Sequence, residues 1–195
     1  MLFIAFLTMS SPGRAADQQA KAILAGGCFW CVEHDFLKLP GVTDVVAGYS
    51  GGSRSNPTYE NYNHTDANQP IPHVEVVQIT YDASRLSYDA LLDFYVRHID
   101  PTDGGGQFCD RGAAYRPVIF TMSEQERAEA KVKIEEVAKL ISQPVAVEIA
   151  EAGRFWPAED YHQDYAEKNP LRYKYYRWNC GRDQRIADVW GVATQ

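Results

Sequence analysis

Two cysteines lie three residues apart in the stretch Gly26–Glu33. The apolar run Ala22–Ala25 before it predicts a buried strand, and a helix should follow from about Cys28 to Leu39. Cys28 would then lie at a helix N-terminus, where the macrodipole and free backbone N–H groups lower the pKa of a thiol. Cys31, one turn on, could attack a sulfur oxidised at Cys28. The pattern favours a thiol-based redox enzyme with Cys28 as nucleophile; two structural cysteines in a core helix are the alternative.

Glu75 is the candidate proton donor. The alternation from His73 to Tyr81 predicts a strand that carries Glu75 on the same face as Val77 and Ile79. Burial on an apolar face disfavours the ionised carboxylate and raises its pKa, so this carboxyl could act as an acid near neutral pH. A glutamate at a strand edge, facing water or an arginine, is the alternative.

Further polar side chains could converge on the same sulfur. Asp110, Tyr49 and Tyr115 are assigned to loops, although surface or core positions would suit each of them as well. His162 could act as a base for Cys28, in the way that a Cys–His pair works. A solvated or helix-capping histidine fits the sequence equally well.

The remaining cysteines, Cys109 and Cys180, stand alone in the sequence. Four cysteines with this spacing argue against a disulfide scaffold and against a paired zinc site. Cys180 lies in a tail that could reach a distant sulfur, and a free buried thiol is the alternative.

The composition is that of a soluble globular protein of one domain: 195 residues, 45% hydrophobic and 23% charged. The net charge of −7 argues against a nucleic-acid or anionic-membrane surface. Residues 1–15 predict a signal or leader segment, with Gly13 and Ala15 at the small-residue positions of a cleavage site. Residues 16–195 would form the catalytic domain. We expect an exported, periplasmic protein without a membrane anchor in its mature form, or a cytoplasmic one if this segment is not a signal.

Helices and strands alternate in the order β-α-β-β-α-β-α-β. Strands are predicted near 42–49, 73–81, 117–121 and 145–149, with helices that begin after Ser87 and Ser123. Residues 50–72 predict a long loop, and from about residue 151 an irregular, aromatic-rich tail begins. We predict an α/β (α+β) fold, a two-layer sandwich with a mixed sheet, long loops and a C-terminal coil that wraps the body.

Taken together, these residues resemble the peptide-methionine sulfoxide reductases of the A type, the peptide-methionine (S)-S-oxide reductases. Residues 27–33 (GCFWCVE) are similar to the family's active-site signature. Other motifs similar to the family's are GYSGG at 48–52, NPTY at 56–59, HVEVV at 73–77, DRG at 110–112 and AEDYHQ at 158–163. The resemblance covers about residues 21–190.

The resemblance implies reduction of the S epimer of methionine sulfoxide, free or in proteins, to methionine. Cys28 would be the nucleophile, Phe29 and Trp30 would hold the substrate methyl group, and Glu75 would protonate the sulfoxide oxygen. Five further residues would contact the substrate or lie near its pocket. Tyr49 and Tyr115 would hydrogen-bond the sulfoxide oxygen, Asp110 would help to orient the substrate, and His162 and Tyr165 would lie near the pocket.

The second thiol departs from the family's simplest pattern. Attack by Cys28 would leave a sulfenic acid, which another thiol condenses to a disulfide. Many members carry Gly where this chain has Cys31 and use C-terminal cysteines instead. We favour Cys31 as the first resolving residue, while Cys180 could carry the disulfide onward or do the whole task. The family implies thioredoxin or an equivalent as reductant, and we expect a monomer without metal or organic cofactor.

Two other classes of function compete with this interpretation. A CxxC after a strand also occurs in thiol–disulfide oxidoreductases of the thioredoxin type, but that chemistry gives no role to Glu75 on an apolar strand. A non-catalytic peptide-binding module could instead use the aromatic loops.

Overall fold

The computed structural model describes residues 18–191. Its strands are β1 (Gln19–Ala25), β2 (Val42–Ser50), β3 (Val74–Asp82), β4 (Gly106–Gln107), β5 (Asp110–Arg111), β6 (Val118–Thr121), β7 (Glu148–Glu151) and β8 (Trp156–Pro157). Its helices are α1 (Phe29–Phe36), α2 (Tyr88–Arg97), α3 (Glu124–Ile141), α4 (Tyr165–Lys168), α5 (Pro170–Asn179) and α6 (Arg182–Trp190), with a 3₁₀ turn at Ala113–Tyr115. The predicted leader, residues 1–15, lies outside the described residues.

A six-stranded mixed sheet with the order β7-β6-β1-β3-β2-β8 lies at the centre of the fold. β6 and β7 run parallel, and the other neighbouring strands run antiparallel. This arrangement confirms the predicted α/β class and the mixed sheet. β4 and β5 pair separately in the loop region that precedes β6.

The two faces of the sheet follow the pleat of each strand. On one face, Val77 and Ile79 of β3 belong to a core cluster that also takes in apolar residues of α1, α2 and α3. On the other face, Val74 and Val76 pack with Phe120 and neighbouring apolar residues. The alternation of β3 therefore turns residue 75 toward the helical layer, as the sequence predicts.

The helix starts follow the predicted caps. The hydroxyl oxygens of Ser87 and Ser123 accept hydrogen bonds from the third backbone N–H after them, at 3.1 Å in both cases. The strand expected at 145–149 forms at 148–151 instead, because the N–H of Ala146 is bonded to the carbonyl oxygen of Pro101 at 2.7 Å. Pairing with β6 begins only beyond that contact.

The C-terminal region wraps the body, but it is largely helical where the sequence predicts coil. Helix α5 buries only Tyr173, and α6 buries Arg182 and Ile186. Helix α5, which is mostly polar and buries one residue, presents no apolar stripe that a periodicity argument could detect. Across residues 18–191, no helix combines the length and apolar character that crossing a membrane requires.

Candidate active site

A glycine turn between β1 and α1 places Cys28 at the N-cap of α1. Gly27 has a φ of 83°, and a β-carbon there would lie 2.6 Å from Cβ of Gln107. Only glycine meets both requirements without strain. Cys28 and Cys31 are both buried and both free thiols. The first turn of α1 thus brings the two sulfurs together beneath the protein surface.

Glu75 lies directly against the start of α1. The backbone N–H of Phe29 donates to its Oε2 atom at 3.0 Å, and the hydroxyl of Tyr62 donates to its Oε1 atom at 3.1 Å. Burial raises the pKa of Glu75 to about 8, although both hydrogen bonds act in the opposite direction. The carboxyl is therefore neutral at pH 7 and can donate a proton beside Cys28.

A small cleft of about 90 Å³ opens over these two groups. It brings together residues from distant parts of the chain, namely Cys28, Phe29, Trp30, Tyr59, Glu75, Asp110, Tyr115 and Tyr176. Six of these eight are residues that the sequence singled out. The two tyrosines at 59 and 176 were missed, because they lie in the aperiodic loop and in the C-terminal region.

The structure contradicts the expected low pKa of Cys28. Burial raises the pKa of this thiol, and the neighbouring Cys31 and Glu75 raise it further. The first N–H of α1, which would stabilise a thiolate, donates to Glu75 instead. Cys31 has a lowered pKa, chiefly because the Cys28 thiol donates toward its sulfur. Cys28 therefore rests as a thiol and must lose its proton during reaction.

Trp30 is held in place from two sides. Its indole N–H donates to Nδ1 of His162 at 3.0 Å, and Tyr165 stacks on the indole with centroids 3.6 Å apart and planes 5° apart. His162 is not placed to act as a base for Cys28, because its Nδ1 accepts from Trp30 and burial lowers the pKa of its imidazole. His162 and Tyr165 do not line the cleft themselves; they hold Trp30, which does.

The predicted oxygen-binding tyrosines are placed differently from each other. Tyr115 lines the cleft, and its hydroxyl oxygen lies 3.4 Å from that of Tyr62. Tyr49 is fully buried beside Phe29, and its hydroxyl donates to Glu159 at 2.9 Å. The structure thus keeps Tyr49 out of the cleft lining. Tyr62, which the sequence did not single out, makes the direct contact with the acid.

Cys109 and Cys180 form a disulfide with their Cα atoms 4.8 Å apart. The sequence offered Cys180 as a possible resolving thiol or a free buried thiol, and in this structure its sulfur is bonded to that of Cys109 instead. The two sulfurs also lie close to the Asp110 carboxylate. Because the sulfurs are bonded to each other and Tyr176 donates to Asp110, this cluster offers no thiolate ligand to a metal.

Comparisons with known proteins agree with this geometry. The family model described as peptide methionine sulfoxide reductase matches residues 20–194. Peptide methionine sulfoxide reductase MsrA 2 of Rhizobium meliloti (strain 1021) is 46% identical over 180 residues, which cover 92% of this chain and 87% of that protein.

Two solved structures of one yeast protein show the same fold. Mxr1 from Saccharomyces cerevisiae in reduced form has a TM-score of 0.71 and 30% identity, covering 78% of this chain and 86% of that one. Mxr1 in complex with Trx2 has a TM-score of 0.53 and 24% identity, covering 80% and 91%. With the family model matched over nearly the whole chain and a relative this similar in sequence, this protein belongs to the MsrA family of peptide methionine sulfoxide reductases.

Proposed function

We propose that this protein reduces the S epimer of methionine sulfoxide, free or within proteins, to methionine, with Cys28 as the nucleophile. One observation carries the proposal: a buried, neutral Glu75 carboxyl shares an aromatic-walled cleft with the Cys28 thiol. A sulfoxide oxygen leaves only when it is protonated, so a sulfur nucleophile needs such an acid beside it. The choice of epimer rests on the family.

The reaction balances within this cleft. The Cys28 sulfur attacks the substrate sulfur and Glu75 gives its proton to the sulfoxide oxygen, while the proton that leaves the Cys28 thiol returns the Glu75 carboxylate to its acid form. The net change is transfer of one oxygen atom, which leaves methionine and a sulfenic acid at Cys28. The cysteine sulfur loses two electrons, and the substrate sulfur gains them.

The aromatic wall formed by Phe29 and Trp30 suits a thioether with a terminal methyl group. Phe29 and Trp30 line the cleft next to Cys28, and Tyr165 keeps the indole from rotating. A methyl group packed on these rings would fix the direction of the oxygen toward Glu75. Tyr115, which also lines the cleft, would donate to that oxygen.

Cys31 is the resolving residue that the structure favours. It is a free thiol in contact with Cys28, and its lowered pKa makes its sulfur a ready nucleophile. Attack on the sulfenic acid forms a Cys28–Cys31 disulfide and releases water. Cys180 could take part only after its bond to Cys109 opens. The presence of that disulfide fits a protein that cycles between thiols and disulfides.

Thioredoxin or an equivalent dithiol would then restore the two thiols. The solved complex of Mxr1 with Trx2 supports this partner. A thioredoxin-type oxidoreductase, the alternative that the CxxC motif suggests, is not favoured, because the cleft contains a buried acid that disulfide exchange does not use.

Export to the periplasm and a monomeric state are further proposals. The proposal of export rests on residues 1–15, and without a signal there the protein would be cytoplasmic.

The test uses racemic methyl p-tolyl sulfoxide with dithiothreitol, followed by chiral chromatography. The proposal predicts that only the S epimer is consumed and that Cys28→Ser abolishes its turnover. Insulin disulfide reduction without sulfoxide turnover would instead support the thioredoxin-type alternative. Consumption of neither sulfoxide epimer would overturn the proposed function.

A further inference from the structure

Two arginines from the C-terminal helices lie beside the helix that carries Cys31. On α1, Asp35 follows Cys31 by one turn, so the two side chains lie on the same face of that helix. Arg177 of α5 donates from Nη1 to Oδ1 and Oδ2 of Asp35 at 2.9 and 3.0 Å. The same nitrogen donates to the hydroxyl of Tyr173 at 3.0 Å, and Tyr173 belongs to the small buried cluster that contains Cys31. Arg177 therefore lies close to the face of α1 that carries Cys31.

Arg182, the first residue of α6, is 2% exposed and lies along the same face. Its Nη1 atom donates to the carbonyl oxygen of Gly26 at 3.4 Å, and its Nε atom lies 3.9 Å from Oδ2 of Asp35. Gly26 precedes α1 and Asp35 lies near the end of that helix. A guanidinium group that contacts both must pass along the side of α1 where Cys31 lies.

The buried charges on this face do not balance. Among residues 18–191, Asp35 is the one carboxylate within 4 Å of Arg182, and it already accepts two hydrogen bonds from Arg177. Asp183, the other carboxylate bound to Arg177, is 52% exposed, so water screens its charge. The Nε atom of Arg182 is buried and has no hydrogen-bond partner within the described part of the chain. A buried cation without a full counter-ion is costly, so this face favours a further anion.

We propose that Arg177 and Arg182 are positioning residues for the resolving step. They hold the Cys31 sulfur as an anion, which is the form that attacks the sulfenic acid at Cys28. The inference rests on the proposed function. In this step the Cys31 thiolate forms an S–S bond with Cys28, the S–O bond breaks, and the hydroxide takes the proton of Glu75 and leaves as water. The Cys28 sulfur is reduced by one electron and the Cys31 sulfur is oxidised by one, so no further reactant is needed.

The electrostatic surroundings of Cys31 support this role. Besides Cys28, the charged and titratable groups that face it come from α1, β3, α4, α5 and α6, namely Asp35, Glu75, Tyr165, Tyr173, Tyr176, Arg177 and Arg182. The two arginines supply the only positive charges in this set. The Cys28 thiol contributes most to the lowered pKa of Cys31, while burial opposes it. Arg182 and Arg177 lower that pKa further, and Asp35 raises it.

The test follows the sulfenic acid. Reduced protein is mixed with one equivalent of methionine (S)-sulfoxide and quenched with dimedone at intervals, and mass spectrometry quantifies the sulfenic acid and the Cys28–Cys31 disulfide. At pH 7 we expect Arg182→Met to slow disulfide formation about 3- to 10-fold, because a smaller share of Cys31 is ionised. The pH profile of this step should move upward by about one pH unit, and methionine formation should change less. Arg172→Met, a control at an exposed position of α5, should match the wild type.

Two further variants separate the effect of charge from that of structure. Arg182→Lys keeps the positive charge but loses the fork that binds two backbone carbonyl oxygens, so it should recover most of the rate at pH 7. Asp35→Asn removes the anion that competes with Cys31, so the pH profile of disulfide formation should move downward. This opposite shift keeps the inference testable even if Arg182→Met does not fold.

A wild-type pH profile in Arg182→Met would overturn the inference. So would an equal loss in Arg182→Met and Arg182→Lys at every pH, which would mark a merely structural role, or an upward shift in Asp35→Asn. None of these results is confused with failure of the proposed function, because in that case the wild type itself would form no methionine.

Discussion

Replacing Glu75 with glutamine removes the acidic proton of this side chain and changes little else in the cleft. The side-chain volume is nearly unchanged, and the amide oxygen can still accept from the N–H of Phe29. General acid catalysis contributes about 10²- to 10⁴-fold in rate. We therefore expect single-turnover methionine formation by Glu75→Gln to fall by at least about 100-fold, with substrate binding changed far less.

The pH dependence follows from the raised pKa of about 8. The acid form predominates at pH 7 and is lost above pH 8, so the wild-type rate should fall with rising pH through that range. Glu75→Gln should lack this fall. The free energy of unfolding changes in the same direction. A carboxyl whose pKa is raised in the folded protein stabilises the fold at low pH, and it loses that contribution between about pH 4.5 and pH 8. At pH 9 the free energy of unfolding of the variant should exceed that of the wild type by on the order of 5 kcal/mol.

The assay is rapid quench of reduced protein with one equivalent of methionine (S)-sulfoxide, at pH values from 6 to about 9.5. Glu135→Gln is the matched control, because Glu135 is exposed on α3 and does not line the cleft. It should leave the rate and its pH profile unchanged. An unchanged single-turnover rate in Glu75→Gln would remove Glu75 from the acid role.

Three other substitutions test the remaining parts of the site. Cys31→Ser should leave the first turnover intact but let a sulfenic acid accumulate, which dimedone labelling and mass spectrometry would detect; a disulfide to Cys180 in this variant would assign that residue a resolving role. Tyr62→Phe removes a hydrogen bond to the Glu75 carboxylate, so the alkaline fall in rate should move up by on the order of one pH unit. Trp30→Ala should lower kcat/KM about 10- to 100-fold through lost methyl contact, whereas Trp178→Ala, at a position 75% exposed, should not.

The placement of Glu75 could be predicted because it depends on local periodicity. Strict alternation along β3 turns residue 75 toward the helical layer, and the run before Gly26 fixes where α1 begins. Both features follow from residues close together in the chain. The fold class could be predicted for the same reason, because the longer strands of the sheet and helices α1, α2 and α3 each have a local sequence pattern.

The rest of the site depends on how distant segments pack. Tyr62 and Tyr176 reach the cleft from an aperiodic loop and from a helix without an apolar stripe. The Cys109–Cys180 bond joins positions 71 residues apart, a separation that gives no hint of pairing. The pKa of Cys28 was mispredicted because local sequence shows the helix start, but neither the burial that raises the pKa of this thiol nor the loss of the first N–H of the helix to Glu75.

A single turnover without added reductant tests the central claim most directly. Reduced protein is mixed with one equivalent of methionine (S)-sulfoxide, and methionine and the modified residue are measured together. We predict about one methionine per chain from the wild type, oxidation that begins at Cys28, and no methionine from Cys28→Ser. Methionine formed by Cys28→Ser at the wild-type rate would contradict the account.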